Sequence, residues 1–184
     1  MVITFIGMPG SGKSCMGRAI SGKLKMKLID ADKLIEKRYG KKLQELIDDI
    51  GVEEFRKIEE ETLLSINGDN IIVSTGGSAV YSDAGMKHLK SIGKIFYLFC
   101  SCDTVKKRIG DYSKRGIVLK PGQTIDDLYN ERAPLYKRYA DVTILCDGDA
   151  FSQYQNAVIR AAKRYRVREK QTDTSASKIL ETEN

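Results

Sequence analysis

Residues 2–15 read VITFIGMPGSGKSC, and the fold turns on how the two halves of that stretch meet. Val2-Ile3-Thr4-Phe5-Ile6 is β-branched and aromatic and stops abruptly at Gly7, the composition of a strand buried on both faces. From Lys13 to Leu24 the apolar residues recur at helical spacing. Between them Gly7-Met8-Pro9-Gly10-Ser11-Gly12-Lys13-Ser14 matches the pattern G-x-x-x-x-G-K-[ST] in full. Glycines at such a turn let the backbone curl its N–H groups inward around a phosphate. The helix that follows adds its N-terminal partial positive charge at the same point. Lys13 is then expected to reach the outer phosphates, and the Ser14 hydroxyl to ligate Mg²⁺. A glycine-rich strand-to-helix turn with no ligand is the plain alternative. The position of the motif, at the head of an α/β chain, points to a nucleoside triphosphate, by default ATP, bound along Gly10, Ser11, Gly12, Lys13, Ser14 and Cys15.

Outward from this turn, strand-like runs alternate with helical segments. Strands are expected at 2–6, 26–30, 70–75, 94–99 and 141–146, and helices at 13–24, 32–38, 42–49, 52–66, 83–91, 103–111, 125–138 and 150–165. Strands apolar on both faces and separated by helices predict a three-layer α/β domain with a parallel sheet. Two stretches break the rhythm. The charged, helical sequence between residues 30 and 71 exceeds a simple crossover and predicts a small helical lobe over 32–66. The segment DYSKRGIVLKPGQT at 111–124 predicts a mobile lid, because loops of that length are uncommon without a function. Beyond residue 167 the sequence turns polar with no sustained apolar face, so 1–167 reads as one domain and 168–184 as a disordered tail.

Composition narrows the class. A chain of 184 residues, 41% hydrophobic and 30% charged, is long enough for one domain with a real core. No apolar run approaches the ~18–20 residues that span a bilayer, and the start does not resemble a signal peptide; a cytoplasmic protein is expected. Four cysteines without a CxxC pair and one histidine, His88, argue against zinc or disulfide chemistry; the thiols read as buried and reduced, and His88 as an exposed helix residue. The net charge of +6 is concentrated near the end, in AAKRYRVREK, with few interleaved aromatics, so a solvated helix is favoured over a nucleic-acid surface.

Candidate acceptor-side residues follow the strands. Asp30-Ala31-Asp32 ends the second strand, at the edge where open α/β sheets bind ligands. Alternation along an extended segment sends both carboxylates the same way, one toward a metal and the other toward an attacking hydroxyl; the alternative is that Asp32 merely caps a helix. Arg56 and Glu59 stand three apart on a helix, where a carboxylate can hold a guanidinium or form an ordinary surface pair. Ser74-Thr75-Gly76-Gly77-Ser78 ends the third strand, with two glycines that admit a close backbone approach. Arg132-Ala133-Pro134-Leu135-Tyr136 predicts a kink or a helix start near Arg132, since Pro134 disfavours a helix interior. Arg108, Arg115 and Arg132 supply cations for phosphoryl transfer and for an anionic acceptor.

Taken in order, G-x-x-G-S-G-K-S, D-A-D, F-R-x-x-E, S-T-G-G and R-x-P-L-Y resemble the shikimate kinase family over residues 1–165. The resemblance implies a P-loop kinase fold with a five-stranded parallel sheet ordered 2-3-1-4-5, a helical substrate-binding insertion and a lid. It implies ATP- and Mg²⁺-dependent phosphorylation of a small hydroxy-carboxylate, shikimate first. Asp32 would be the base and Asp30 the residue near magnesium, with Ser14. Arg56 and Arg132 would clamp the acceptor carboxylate, with Gly76 and Gly77 beside it. Arg108 would stack on adenine, and Arg115 would close the lid over the γ-phosphate with Lys13.

Two departures adjoin the acceptor pocket. Arg115-Gly116-Ile117-Val118-Leu119 stands where the family usually has Arg-Pro-Leu-Leu, and Ser78 stands in place of a third glycine. On sequence alone, then, another hydroxy acid such as homoserine or a sugar acid stays open as the acceptor. A nucleotide-binding regulatory module stays open as a second class. A monomer without nucleic-acid or membrane partners is expected.

Overall fold

The apolar run of the opening stretch becomes the centre of the sheet. In the computed structural model, which describes residues 1–110, 117, 119–120, 122–148 and 150–182 and their side chains up to 167, every residue of β1 (Val2–Ile6) is buried. The other strands are β2 (Lys27–Asp30), β3 (Ile71–Ser74), β4 (Lys94–Phe99) and β5 (Val142–Leu145). They form one parallel sheet in the order β2-β3-β1-β4-β5, with Phe5 opposite Ser74 on one side and Phe96 on the other. Burial sorts the strands: β3 is wholly enclosed, while edge strands β2 and β5 are partly exposed. Parallel strands bring their carboxyl ends to one edge, and β1, β2 and β3 deliver the glycine loop, Asp30 and Ser74 there.

Among the described residues eight α-helices connect and cover the sheet: α1 (Lys13–Leu24), α2 (Ala31–Tyr39), α3 (Leu43–Ile50), α4 (Val52–Ser65), α5 (Asp83–Ile92), α6 (Cys102–Ile109), α7 (Ile125–Tyr139) and α8 (Phe151–Thr182), with a short 3₁₀ turn at Ala79–Tyr81. The main core gathers β1, β3 and β4 with α1, α5, α7 and α8, including an edge-to-face pair of Phe5 and Phe96. A second, smaller core of Ile35, Leu46, Ile47, Phe55 and Ile58 belongs to α2, α3 and α4 alone. The stretch between β2 and β3 is thus a helical lobe with its own apolar centre.

Several local expectations change. Helix α7 begins at Ile125, where the periodicity placed it, and not near Arg132, the helix-start alternative raised by Pro134: Thr124 and Asp127 form a capping box, with the Asp127 N–H donating to Thr124 Oγ1 (3.2 Å) and the Thr124 N–H to Asp127 Oδ2 (2.9 Å). That reciprocal cap fixes the start at Ile125 and leaves Pro134 inside the helix. Helix α8 runs on to Thr182 rather than ending near 165, so its backbone is helical through most of the stretch read as a disordered tail. That stretch lacks an apolar face but has no glycine or proline and is rich in good helix formers. His88 is half-buried, its ring nitrogen 2.8 Å from the Ile66 carbonyl beyond the end of α4. Cys100 and Cys146 are buried free thiols as expected, but Cys15 is exposed on the first turn of α1 and Cys102 half-buried. Among the described residues, no helix is long and apolar enough to cross a membrane. The readings for Arg115, Gly116 and Val118 lie outside the described residues.

Candidate active site

One cleft of ≈ 980 Å³ lies over the carboxyl edge of the sheet and is lined by the glycine loop, the starts of α1 and α2, α4, the β3 end and α7. Within it the loop takes the shape its sequence requires. Gly12 caps α1 at φ 93°, in the left-handed region that a side chain resists. Lys13 is buried, and its ammonium donates to the carbonyls of Gly7 (2.7 Å) and Met8 (3.0 Å). Burial lowers its pKa to about 8; nearby Arg132 adds to the shift, and Asp32 opposes it. The hydroxyls of Ser14 and Ser74 lie 3.1 Å apart, and the buried Ser11 hydroxyl has no partner among the described residues.

The two aspartates do not share an extended segment. Asp30 ends β2 and caps α2, its Oδ1 accepting from the Lys33 N–H at 3.3 Å, while Asp32 is already in the first turn of that helix. The cap role weighed for Asp32 therefore falls to Asp30, and the Asp32 carboxylate faces the cleft. Burial raises the Asp32 pKa to about 6; Lys13 opposes the rise, and Asp30 and Glu36 add to it. Both shifts have one first cause, burial, which disfavours the charged form of each group.

Glu59 plays a different part from the one its spacing suggested. Arg56 pairs with Glu53 at 3.7 Å, whereas Glu59 is buried and accepts from the Ser78 hydroxyl at 2.9 Å. Its pKa rises to about 7, chiefly through burial, with the Ser78 hydrogen bond opposing. A methyl group on Gly76 would lie 2.5 Å from Glu59 Oε1 and 2.8 Å from Asp32 Oδ1, so the two carboxylates flank this glycine. One on Gly77 would meet the Pro9 ring at 2.8 Å and Arg132 Nη1 at 3.2 Å. The two glycines after β3 are therefore spaces that functional side chains occupy.

Arg132 is 4% exposed, and its Nε donates to the Tyr81 hydroxyl at 3.1 Å. Arg56 reaches the same place from α4. Arg108, on the nucleotide side, is held by its own hydrogen bonds to the Cys146 (2.9 Å) and Gly148 (2.5 Å) carbonyls and to Cys100 Sγ (3.3 Å). Those bonds hold the guanidinium against the segment that follows β5, while the base of the side chain borders the glycine loop, where a methyl group on Gly10 would meet the Arg108 Cβ at 3.5 Å. The structure thus brings Gly10, Gly12, Lys13, Ser14, Cys15, Asp30, Asp32, Arg56, Gly76, Gly77, Arg108 and Arg132 to one cleft wall or mouth, with Ser11 behind the loop.

Sequence reasoning missed Tyr81, the carboxylate pairing across Gly76, and the Tyr136 hydroxyl, which donates to the Gly77 carbonyl at 2.6 Å. Tyr136 was visible inside R-x-P-L-Y, but a residue five positions past Gly76 on a 3₁₀ turn carries no periodic signal.

Comparisons with known proteins point to one family. The family model for shikimate kinase matches residues 9–182. The chain is 33% identical over 163 residues to a shikimate kinase from a Sulfurihydrogenibium species, covering 88% of this chain and 98% of that one. It is 33% identical over 165 residues to the shikimate kinase of Thermodesulfovibrio yellowstonii, covering 88% and 95%. Among solved structures, it superposes on shikimate kinase from Acinetobacter baumannii in complex with shikimate with a TM-score of 0.79 and 25% identity, covering 89% of this chain and 93% of that one.

Proposed function

The chain belongs to the shikimate kinase family, and we propose that it transfers the γ-phosphoryl group of ATP to a hydroxyl of shikimate. The observation that carries this reading is the confrontation, in one cleft, of the loop lysine with a carboxylate whose pKa burial has raised to about 6. A base of that strength is ionised at neutral pH and still takes a proton from a hydroxyl as the phosphoryl group arrives.

Each residue then has a task. Asp32 orients the acceptor hydroxyl and accepts its proton. Lys13 exchanges the carbonyls of Gly7 and Met8 for phosphate oxygens, and the loop N–H groups from Gly10 to Cys15 surround the phosphates. Arg56 and Arg132 bind the acceptor's carboxylate, with the backbone of Gly76 and Gly77 alongside. That clamp determines which hydroxyl faces the donor, and such positioning supplies much of the rate. Arg108, its plane fixed by two carbonyls, flanks the adenine. Arg115 takes the lid role that the family pattern assigns it.

No group of three or more His, Cys, Asp and Glu that could hold a metal occurs among the described residues. The Ser14 hydroxyl and the Asp30 carboxylate at the cleft nevertheless suit an ion that brings phosphate oxygens and water as its remaining ligands, the usual habit of Mg²⁺. When bound there it neutralises phosphate charge.

We read residues 1–167 as one catalytic domain, with 32–66 serving the acceptor, and the protein as a monomer. Ser78, tied to Glu59, alters the acceptor wall and favours a second reading, in which another hydroxy acid is used. ADP release measured across shikimate, homoserine and sugar acids decides between them. Turnover with shikimate is expected to be fastest; no turnover with it, alongside turnover with another acid, overturns the first reading.

A further inference from the structure

Tyr81 ends the 3₁₀ turn that follows Gly77 and Ser78. The Arg56 guanidinium lies 4.7 Å from its ring centroid and the Arg132 guanidinium 5.1 Å. The Arg132 Nε–H donates to the Tyr81 hydroxyl at 3.1 Å, and that hydroxyl donates onward to Glu131 Oε1 at 2.8 Å. Glu131 is engaged on its other oxygen too, accepting from Gln123 Nε2 at 3.0 Å, with Lys120 Nζ 3.6 Å away.

Two guanidiniums brought to one anion repel each other before it arrives, and Arg132 is buried besides. A carboxylate placed between them would remove the repulsion, but the acceptor's own carboxylate would then have to displace it. A neutral ring attracts both cations through its quadrupole and leaves their N–H edges available. Here Arg132 places its Nε on Tyr81, while its Nη1 lies beside Gly77. Glu131, next to Arg132 in sequence, has its oxygens committed to Tyr81 and Gln123, and the Glu53 carboxylate that pairs with Arg56 at 3.7 Å is exposed to solvent, where such a pair is weak. Because the Tyr81 proton goes to Glu131, a lone pair of the hydroxyl is turned to Arg132.

We propose that Tyr81 is a positioning residue that holds Arg56 and Arg132 as a preformed pair for the acceptor's carboxylate, with Glu131 fixing the direction of its hydroxyl. This rests on the shikimate kinase reading above. Tyr81 acts through the arginines, so its effect appears in acceptor binding and only where the acceptor carries a carboxylate.

The test compares wild type, Tyr81→Phe and Tyr81→Leu with shikimate and with its methyl ester. Tyr81→Phe, which loses the hydrogen bond to a charged group, is expected to raise KM for shikimate about tenfold. Tyr81→Leu, which also loses the ring, is expected to raise it by about a further tenfold. KM for ATP should stay within about twofold, and the melting temperature of Tyr81→Phe close to wild type. With the ester, which presents no carboxylate to the pair, the three proteins should be indistinguishable. Equal losses on acid and ester, a parallel rise in KM for ATP, or unchanged KM for shikimate in both variants each overturns the proposal while leaving the kinase reading intact. A wild-type protein that does not turn over shikimate removes both together.

Discussion

Replacing Gly76 with alanine tests the catalytic geometry more sharply than deleting a catalytic group. The added methyl would lie 2.5 Å from Glu59 Oε1 and 2.8 Å from Asp32 Oδ1, where ordinary contact begins at 3.4 Å. Both obstacles are the far ends of flexible side chains, and Gly76 is absent from the positions with left-handed φ, so the backbone accepts alanine. The carboxylates must therefore each retreat by somewhat less than an ångström, while the fold stays in place. Displacing a reacting group by about 1 Å costs on the order of 10²-fold in rate, or about 2.7 kcal/mol of transition-state stabilisation. Steady-state kinetics should show kcat with shikimate down by about 10²-fold, with KM for ATP and the circular dichroism spectrum unchanged. A Gly76→Ala enzyme within about twofold of wild-type kcat would falsify the reasoning, because a base that tolerates such a shift is not positioned by this glycine.

Three further outcomes are expected. Asp32→Asn should lower kcat by about 10²-fold or more, the usual scale for losing a general base; near-normal turnover would end the base assignment. The pH profile of kcat/KM for shikimate should be bell-shaped. The Asp32 carboxylate, raised to about 6, is lost as a base below that pH, and Lys13, lowered to about 8, loses its charge above it. A profile flat from about pH 5 to about pH 9 would contradict both assignments. Chelation with EDTA should abolish ADP release and added Mg²⁺ restore it, with activity unaffected by the chelator as the opposing result.

Much of the sheet was legible because its signals are local. The five strands fall within a residue of their expected ends, and the glycine loop announced its own chemistry. What failed was the exact handover from strand to helix at β2. The pattern D-A-D looks the same whether Ala31 is extended or helical, and only the Asp30 side chain bonded to the Lys33 N–H decides it. At Pro134 the periodicity that placed a helix over 125–138 outweighs the local proline penalty, because the capping box ten residues upstream fixes the start. The pairing of Asp32 with Glu59 across Gly76 was out of reach, since it joins α2, α4 and the end of β3 through tertiary contact alone. Tyr81 is the same case, a residue whose role exists only once two helices have brought it their arginines.

The small core of Ile35, Leu46, Ile47, Phe55 and Ile58 has a bearing on how such a protein changes over generations. Asp32 and Arg56 stand on helices stabilised by that cluster, while Lys13 and the glycine loop rest on the cluster around β1. Mutations that reshape the first set can retune what is phosphorylated without disturbing the machinery that supplies the phosphate. Arg132 and the two glycines after β3 stand on the main core instead, so the separation applies to the Asp32 and Arg56 side of the cleft.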